Sequence, residues 1–242
     1  MKNRIGILAH SGEGAALCFL ECIHEGENRL GPHIHPDIVL DIEPMGPVLD
    51  DWAMRNYPPI VTLFARQAAR LKDAGAAFWI CPDNTAHLAF EAMTEPLPLP
   101  GLHIAEIVAE QAAGRGFRKI GITGTRWTME GPVYPGAFTR RGIQFTTPPE
   151  DDKAAIQAMI FDELVRGKVT DAARRRLAQA VEGLKAQGCD AVVLGCTELP
   201  MLLNEHNSPL PPLDSTRLLA RAAVDVALGS RPLPLWRGGL LR

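Results

Sequence analysis

The chain repeats one segment of its sequence, and this repeat constrains the fold more than any other feature. Residues 71–85 and 184–198 each run from a helix end through a glycine turn and an apolar strand to a polar tip. The two segments align without a gap, so Asp83 in the first copy occupies the position of Cys196 in the second. Residues 4–8 likewise resemble residues 119–123. The duplication predicts two similar halves with matching tips, one bearing a carboxylate and the other a thiol.

Alternating apolar strands and amphipathic helices indicate the fold of each half. Strands are predicted near residues 4–9, 37–42, 77–82, 119–124, 143–147 and 191–195. Helices are predicted at 58–74, 171–187 and 215–228. This order is typical of doubly wound parallel sheets with helices on both faces, so we expect two similar α/β domains.

Proline clusters suggest where the chain passes between the halves. They lie at residues 96–100 and 209–212, and such clusters punctuate regular structure. We therefore predict a first domain of residues 1–100 plus about 210–242, and a second of residues 101–209.

The composition indicates which classes of partner and which cell compartment to expect. The chain is 46% hydrophobic and 22% charged, with a formal charge of −3, which is ordinary for an α/β protein and argues against nucleic acid as a partner. No apolar run approaches the roughly 18 to 20 residues of a membrane span, and the N-terminus lacks a signal-peptide pattern. We expect no membrane association and a cytoplasmic location, where the five cysteines would be reduced.

Cys196 is the cysteine best placed for chemistry. It follows Gly195 at the end of an apolar strand, which is where open α/β sheets bind ligands. Packing explains Cys18, Cys22 and Cys189 better than metal binding does, because no clear second pair of ligands accompanies them. We predict no metal site.

The two polar tips carry a family resemblance. Residues 84–87 read Asn-Thr-Ala-His, and residues 195–200 read Gly-Cys-Thr-Glu-Leu-Pro. With these motifs the chain resembles the cofactor-independent aspartate/glutamate racemase superfamily over nearly its full length, from residue 5 to residue 216. The resemblance implies two α/β domains facing each other across a cleft that holds the active site. It further implies a small carboxylate-bearing substrate, no cofactor and a homodimer.

Racemisation without pyridoxal phosphate requires two acid/base groups on opposite faces of the α-carbon. Cys196 and Asp83 are the predicted catalytic pair, because the repeat gives them matching positions. The predicted substrate-binding residues lie at the tips and the neighbouring turns, and they are Ser11, Asn84, Thr85, Thr125, Thr197, Glu198, Lys168 and His87. Lys168 is included because aspartate-acting relatives carry a lysine there. Those relatives also use an arginine for the distal carboxylate of the substrate. No arginine of this chain clearly matches it, and Arg55 is a candidate.

The carboxylate in the first tip leaves several readings open, since the two-thiol relatives have cysteine there. In the first reading Asp83 replaces the thiol as acid/base. In the second, Cys196 acts alone, as in a lyase, a decarboxylase or a cis-trans isomerase, and Asp83 polarises a substrate or water. A turn or helix cap is the purely structural role open to Asp83. A third reading brings Cys81 into the site. A non-catalytic ligand-binding homologue is the remaining function class.

Overall fold

A computed structural model describes residues 3–236. The chain divides into two compact units, the first formed by residues up to 104 together with those from 216 onward, and the second by residues 105–215. The first two residues and residues 237–242, which the predicted first domain includes, lie outside the described residues.

The first unit is built on a four-stranded sheet. Its strand order is β2-β1-β3-β4, and all pairings are parallel. The strands are β1 (Ile5–Ala9), β2 (Ile38–Ile42), β3 (Phe78–Ile80) and β4 (Gly101–Leu102). The helices are α1 (Gly12–Leu30), α2 (Leu49–Met54), α3 (Tyr57–Asp73), α4 (His87–Glu91) and α10 (Ser215–Leu228), and a 3₁₀ turn spans Gly46–Val48.

The core of this unit follows from the amphipathic pattern of its elements. Every residue of β1 is buried, and both α1 and α3 pack against it. Helix α3 buries Ile60, Phe64 and Leu71 on one face, as the helical spacing predicted. Burial of these side chains supplies the main free energy that holds the helix on the sheet.

Helix α10 packs within the first unit although it comes last in the sequence. The Arg217 guanidinium bonds Glu21 on α1 at 2.9 Å, and Arg29 bonds Asp225 at 2.5 Å. The buried Cys22 thiol also contacts the carbonyl oxygen of Ala220 at 3.8 Å. These contacts explain Cys22 as a packing residue.

The second unit repeats the architecture of the first. Its sheet has the order β6-β5-β7-β8, again wholly parallel. The strands are β5 (Lys119–Gly124), β6 (Gln144–Thr146), β7 (Ala191–Gly195) and β8 (Pro212–Asp214). The helices are α5 (Ile104–Gly114), α6 (Arg126–Glu130), α7 (Val133–Thr139), α8 (Glu150–Ala158) and α9 (Asp171–Ala186), with a π-helical turn at Met159–Glu163 and 3₁₀ turns at Leu164–Arg166 and Leu199–Met201.

The prediction of two similar parallel-sheet α/β halves is confirmed. Each of the six predicted strands and three predicted helices is present within two residues of its expected ends. The fourth strand of each sheet was not predicted, because β4 and β8 contain two and three residues and lie in proline-rich stretches. The units therefore end at residues 104 and 215, somewhat beyond the predicted domain boundaries near 100 and 210. Within residues 3–236, no helix combines the length and apolar character needed to cross a membrane.

Candidate active site

Cys196 lies directly after β7 and bonds a carboxylate. Its Sγ–H donates to Oε2 of Glu198 at 2.8 Å, and the hydroxyl of Thr197 donates to the same oxygen at 2.8 Å. Cys196 is half-buried, whereas the other four cysteines are buried. Glu198 is itself 9% exposed. A thiol beside a sheltered carboxylate has an acceptor for its proton within hydrogen-bond reach.

Two glycines bring the backbone close together at this tip. A Cβ atom on Gly195 would lie 2.8 Å from the Thr123 carbonyl oxygen, and one on Gly124 would lie 2.8 Å from the Gly195 oxygen. Only glycine fits such an approach without a shift of the backbone. Thr125 then begins α6, where its hydroxyl accepts the Thr128 N–H at 3.3 Å. This packing sets the position from which Cys196 projects.

Asp83 forms the corresponding tip of the first unit, three residues beyond Ile80, the last residue of β3. It is half-buried, and its Oδ1 accepts the backbone N–H of Ala86 at 3.1 Å. At the repeated position in the second unit, the Leu199 N–H bonds the backbone carbonyl of Cys196 at 3.2 Å instead. Asp83 therefore has a capping contact, as one reading of the sequence anticipated, and its second carboxylate oxygen is not used by that contact.

His87 uses both ring nitrogens on the backbone of the first unit. Nδ1–H donates to the Asp83 carbonyl oxygen at 2.9 Å, and Nε2 accepts the Ile104 N–H at 3.2 Å. The side chain is fully buried. Burial is the main cause that lowers the pKa of His87 well below its usual range, and the neighbouring His103 lowers it further. A neutral imidazole with both nitrogens engaged holds the Asp83 tip in place, which gives the buried His87 a structural role.

The other predicted substrate-binding residues, and the candidate Arg55, differ in their exposure. Asn84 and Thr85 belong to the Asp83 tip, where Asn84 is buried and Thr85 half-buried. Ser11 is the half-buried N-cap residue of α1, just after β1, and its hydroxyl makes no cap bond. Lys168 is exposed after a left-handed Gly167, and Arg55 is exposed in the turn after α2.

Cys81 is poorly suited to enter the site and act in place of Asp83. Its side chain is fully buried. Burial and the nearby Asp83 charge raise the pKa of the Cys81 thiol well above its usual range. A buried, protonated thiol is a poor base.

His10 is a buried side chain near the Asp83 tip that the sequence analysis did not single out. It is 4% exposed and lies at the end of β1, immediately before Ser11. The signal was present in the repeat, because residues 4–8 match residues 119–123 and the same alignment pairs His10 with the predicted site residue Thr125.

Comparison with known proteins identifies the family to which this chain belongs. The family described as Asp/Glu/Hydantoin racemase matches residues 15–223, and the chain therefore belongs to that family. The broad specificity amino-acid racemase RacX of Bacillus subtilis is 25% identical over 162 residues, which cover 66% of this chain and 69% of that protein. A glutamate racemase of Thermus thermophilus is 30% identical over 158 residues, which cover 62% of this chain but only 55% of that protein.

Solved structures agree with this family in their fold. A candidate Asp/Glu racemase from Yersinia pestis is 31% identical with a TM-score of 0.84, covering 94% of this chain and 100% of that one. An aspartate racemase homologue from Pyrococcus horikoshii has a TM-score of 0.81 at 23% identity, covering 93% and 99%. At that identity the second likeness shows the shared fold alone.

Proposed function

We propose that this protein is a cofactor-independent amino-acid racemase-type isomerase acting on a small, aspartate- or glutamate-like carboxylate. Cys196 and Asp83 are its two acid/base groups. The observation that carries the proposal is their equivalence: each follows the third strand of a sheet with the same parallel order. Relatives named as glutamate racemases and a broad specificity amino-acid racemase support the choice of reaction and substrate class.

The proton moves between two faces of the substrate α-carbon in this proposal. In one direction Cys196 gives its proton to Glu198, and the thiolate removes the α-proton while protonated Asp83 returns a proton to the opposite face. In the reverse direction the Asp83 carboxylate removes the proton and the Cys196 thiol returns one. In each direction one C–H bond breaks and another forms, while one of the two groups gains a proton and the other loses one. The proton count therefore balances without an added reactant.

Hydrogen-bond donors at the two tips would stabilise the carbanionic intermediate. The candidate donors are the backbone N–H groups and side chains of Asn84 and Thr85, together with the backbone N–H of Thr197. The Ser11 hydroxyl at the start of α1 is a further candidate. Donors aimed at developing negative charge contribute most of the rate in many such sites. We assign carboxylate and enolate binding to these groups, and we keep Lys168 as a candidate for a second substrate carboxylate.

One observation favours a second candidate function. Because the Asp83 carboxylate caps the turn at Ala86, its place in the chain has a structural reason that needs no catalysis. Cys196 with Glu198 would then form a single-thiol site, as a lyase, a decarboxylase or a cis-trans isomerase requires. The same thiol would act in both functions, so the role of Asp83 separates them.

The deciding experiment follows α-proton exchange by NMR in deuterated buffer. Both enantiomers of aspartate and glutamate are incubated with wild-type protein, Asp83→Asn and Cys196→Ala. We expect wild-type protein to exchange and invert both enantiomers. Each variant should lose inversion about a thousandfold, within the range that general acid–base catalysis supplies, yet still exchange one enantiomer without inverting it. In Asp83→Asn the enantiomer that still exchanges should be the one that Cys196 deprotonates. In Cys196→Ala it should be the opposite enantiomer.

Matched controls separate these effects from damage to the fold. Asp73→Asn changes an exposed aspartate, and Cys81→Ala changes a buried thiol of the first unit. Both should retain inversion. If Asp83→Asn keeps full turnover, or if olefinic or decarboxylated products form, the two-base racemase is refuted and the single-thiol reading replaces it. Binding without exchange of any α-proton would identify a non-catalytic homologue.

A further inference from the structure

His10 and Asp83 occupy matching positions at the ends of two paired strands. Strand β1 pairs with β3 in parallel, and Ile7 lies opposite Ile80. His10 and Asp83 each come three residues after this last pair, and the Asp83 charge acts on the His10 ring. The second sheet has the same arrangement, because Gly124 pairs with Gly195 and the next residues are Thr125 and Cys196. Each acid/base candidate thus has a polar neighbour on the adjoining strand.

The His10 ring is held in an apolar setting. It is 4% exposed, and its centroid lies 5.3 Å from the Trp52 ring of α2 and 5.3 Å from the Phe64 ring of α3. The buried Gln67 amide donates to the carbonyl oxygen of Ala9 at 2.9 Å, which fixes the backbone just before His10. These contacts leave the ring little choice of position.

Asp83 supplies the charge that acts on this ring. Burial lowers the pKa of His10, and the Asp83 carboxylate raises it in opposition. The side chains packed on the ring from α2 and α3, Trp52 and Phe64, carry no charge. Asp83, which follows β3, is thus a charged group close enough to act on His10.

We infer that His10 is the positioning residue of the Asp83 half-site, where its imidazole orients the carboxylate toward the substrate α-carbon. The inference rests on the proposed function, in which Asp83 exchanges a proton with substrate. The imidazole N–H donates to Asp83 when the carboxylate is charged, and the ring itself takes no proton from the substrate. Because the Ala86 N–H occupies Oδ1, a second donor would fix the carboxylate plane.

The first arm of the test measures the pairing without any substrate. Protein carrying ¹³C-labelled histidine is titrated by NMR, and the His10 signal is assigned from its absence in His10→Gln. We expect Asp83→Asn to lower the His10 pKa by at least about half a unit, because it removes a nearby negative charge. Asp73→Asn, at an exposed aspartate, should leave the His10 titration unchanged. An unchanged His10 titration in Asp83→Asn would overturn the inference.

The second arm measures α-proton exchange of both enantiomers of aspartate and glutamate in deuterated buffer. His10→Ala should slow exchange at least tenfold for the enantiomer whose exchange Asp83→Asn abolishes. Exchange of the mirror enantiomer, which Cys196 carries out, should stay within about twofold. His10→Gln, which keeps an N–H donor, should recover part of the loss. Equal loss for both enantiomers would mean a general structural role and would refute the inference.

The two arms also separate this inference from the proposed function. If wild-type protein exchanges no α-proton on the panel, the proposed racemase function fails and the NMR titration alone decides the pairing. A His10 pKa that responds to Asp83→Asn then upholds the pairing, and one that does not respond overturns it.

Discussion

The Cys196 tip and the Asp83 tip hold the same turn by different means. In the second unit the backbone carbonyl of Cys196 accepts the Leu199 N–H, and the thiol bonds Glu198. In the first unit the Asp83 side chain accepts the equivalent N–H, that of Ala86. A carboxylate that also caps a turn gives up part of its hydrogen-bonding capacity to the fold. The comparison teaches that one duplicated backbone accommodates two different acid/base groups when the capping bond moves between backbone and side chain.

The side chains around the two tips also differ in kind. The thiol donates to the Glu198 carboxylate, which also accepts from the Thr197 hydroxyl. Two buried imidazoles, His10 and His87, accompany Asp83. A thiol needs an acceptor for its proton, whereas a carboxylate needs donors that hold its charge. This difference in chemical need leads to measurable differences between the two tips.

Alkylation of the native protein should distinguish Cys196 from the other cysteines. With limiting iodoacetamide we expect Cys196 to react at least about a thousandfold faster than the four buried thiols, because their reaction requires a local opening that costs several kcal/mol. Peptide mapping by mass spectrometry measures the ratio. Comparable labelling of Cys81 in the folded protein would contradict the assignment and restore the reading in which that thiol reaches the site.

Replacement of the thiol's acceptor should affect activity and leave the fold intact. Glu198→Gln removes the carboxylate that accepts from Cys196, and we expect turnover to fall about a hundredfold, at the lower end of general acid–base contributions. Glu205→Gln, an exposed change in the same segment, is the matched control. Unchanged kcat in Glu198→Gln would show that the two tips do not differ in the way proposed.

The buried imidazole of the first tip should make stability depend on pH. The pKa of His87 is well below its usual range in the folded protein, while the unfolded chain titrates near 6.5. The unfolded state therefore binds more protons below that pH, and stability is present above it and lost as the pH falls. For one histidine this loss is at most about 2 kcal/mol between pH 7 and pH 5.

Urea unfolding at the two pH values measures this loss. His87→Asn should retain a donor for the Asp83 carbonyl and reduce the difference between pH 7 and pH 5. His206→Asn, at an exposed histidine, should keep the wild-type difference. If His87→Asn loses as much stability on acidification as the wild-type protein does, the neutral buried imidazole is ruled out.

The smallest expected effect concerns the cap itself. Asp83→Ala should lower the free energy of unfolding by about 1 kcal/mol, the usual value of a lost side-chain cap. Asp83→Asn should lose less, since an amide oxygen still accepts the Ala86 N–H. Thermal unfolding monitored by circular dichroism compares the two variants. Equal stability of Asp83→Ala and wild-type protein would remove the capping role from the comparison.

Local sequence patterns predicted most of the fold. Apolar strands such as residues 191–195 and amphipathic helices such as α3 carry their periodicity in the chain, so their type and approximate ends could be stated in advance. Strands β4 and β8 could not, because two or three residues carry too little pattern and pair only when the neighbouring strand is already in place.

Residue order and periodicity are enough to establish the duplication, the matched positions of Asp83 and Cys196 and the α/β class of both halves. The contacts of each side chain depend on the packed fold. It gave the Cys196 proton an acceptor in Glu198, engaged both nitrogens of His87 with backbone, and buried His10 within reach of the Asp83 charge. Hydrogen bonds and burial depend on chain segments far apart in sequence, and only the packed sheet brings those segments together.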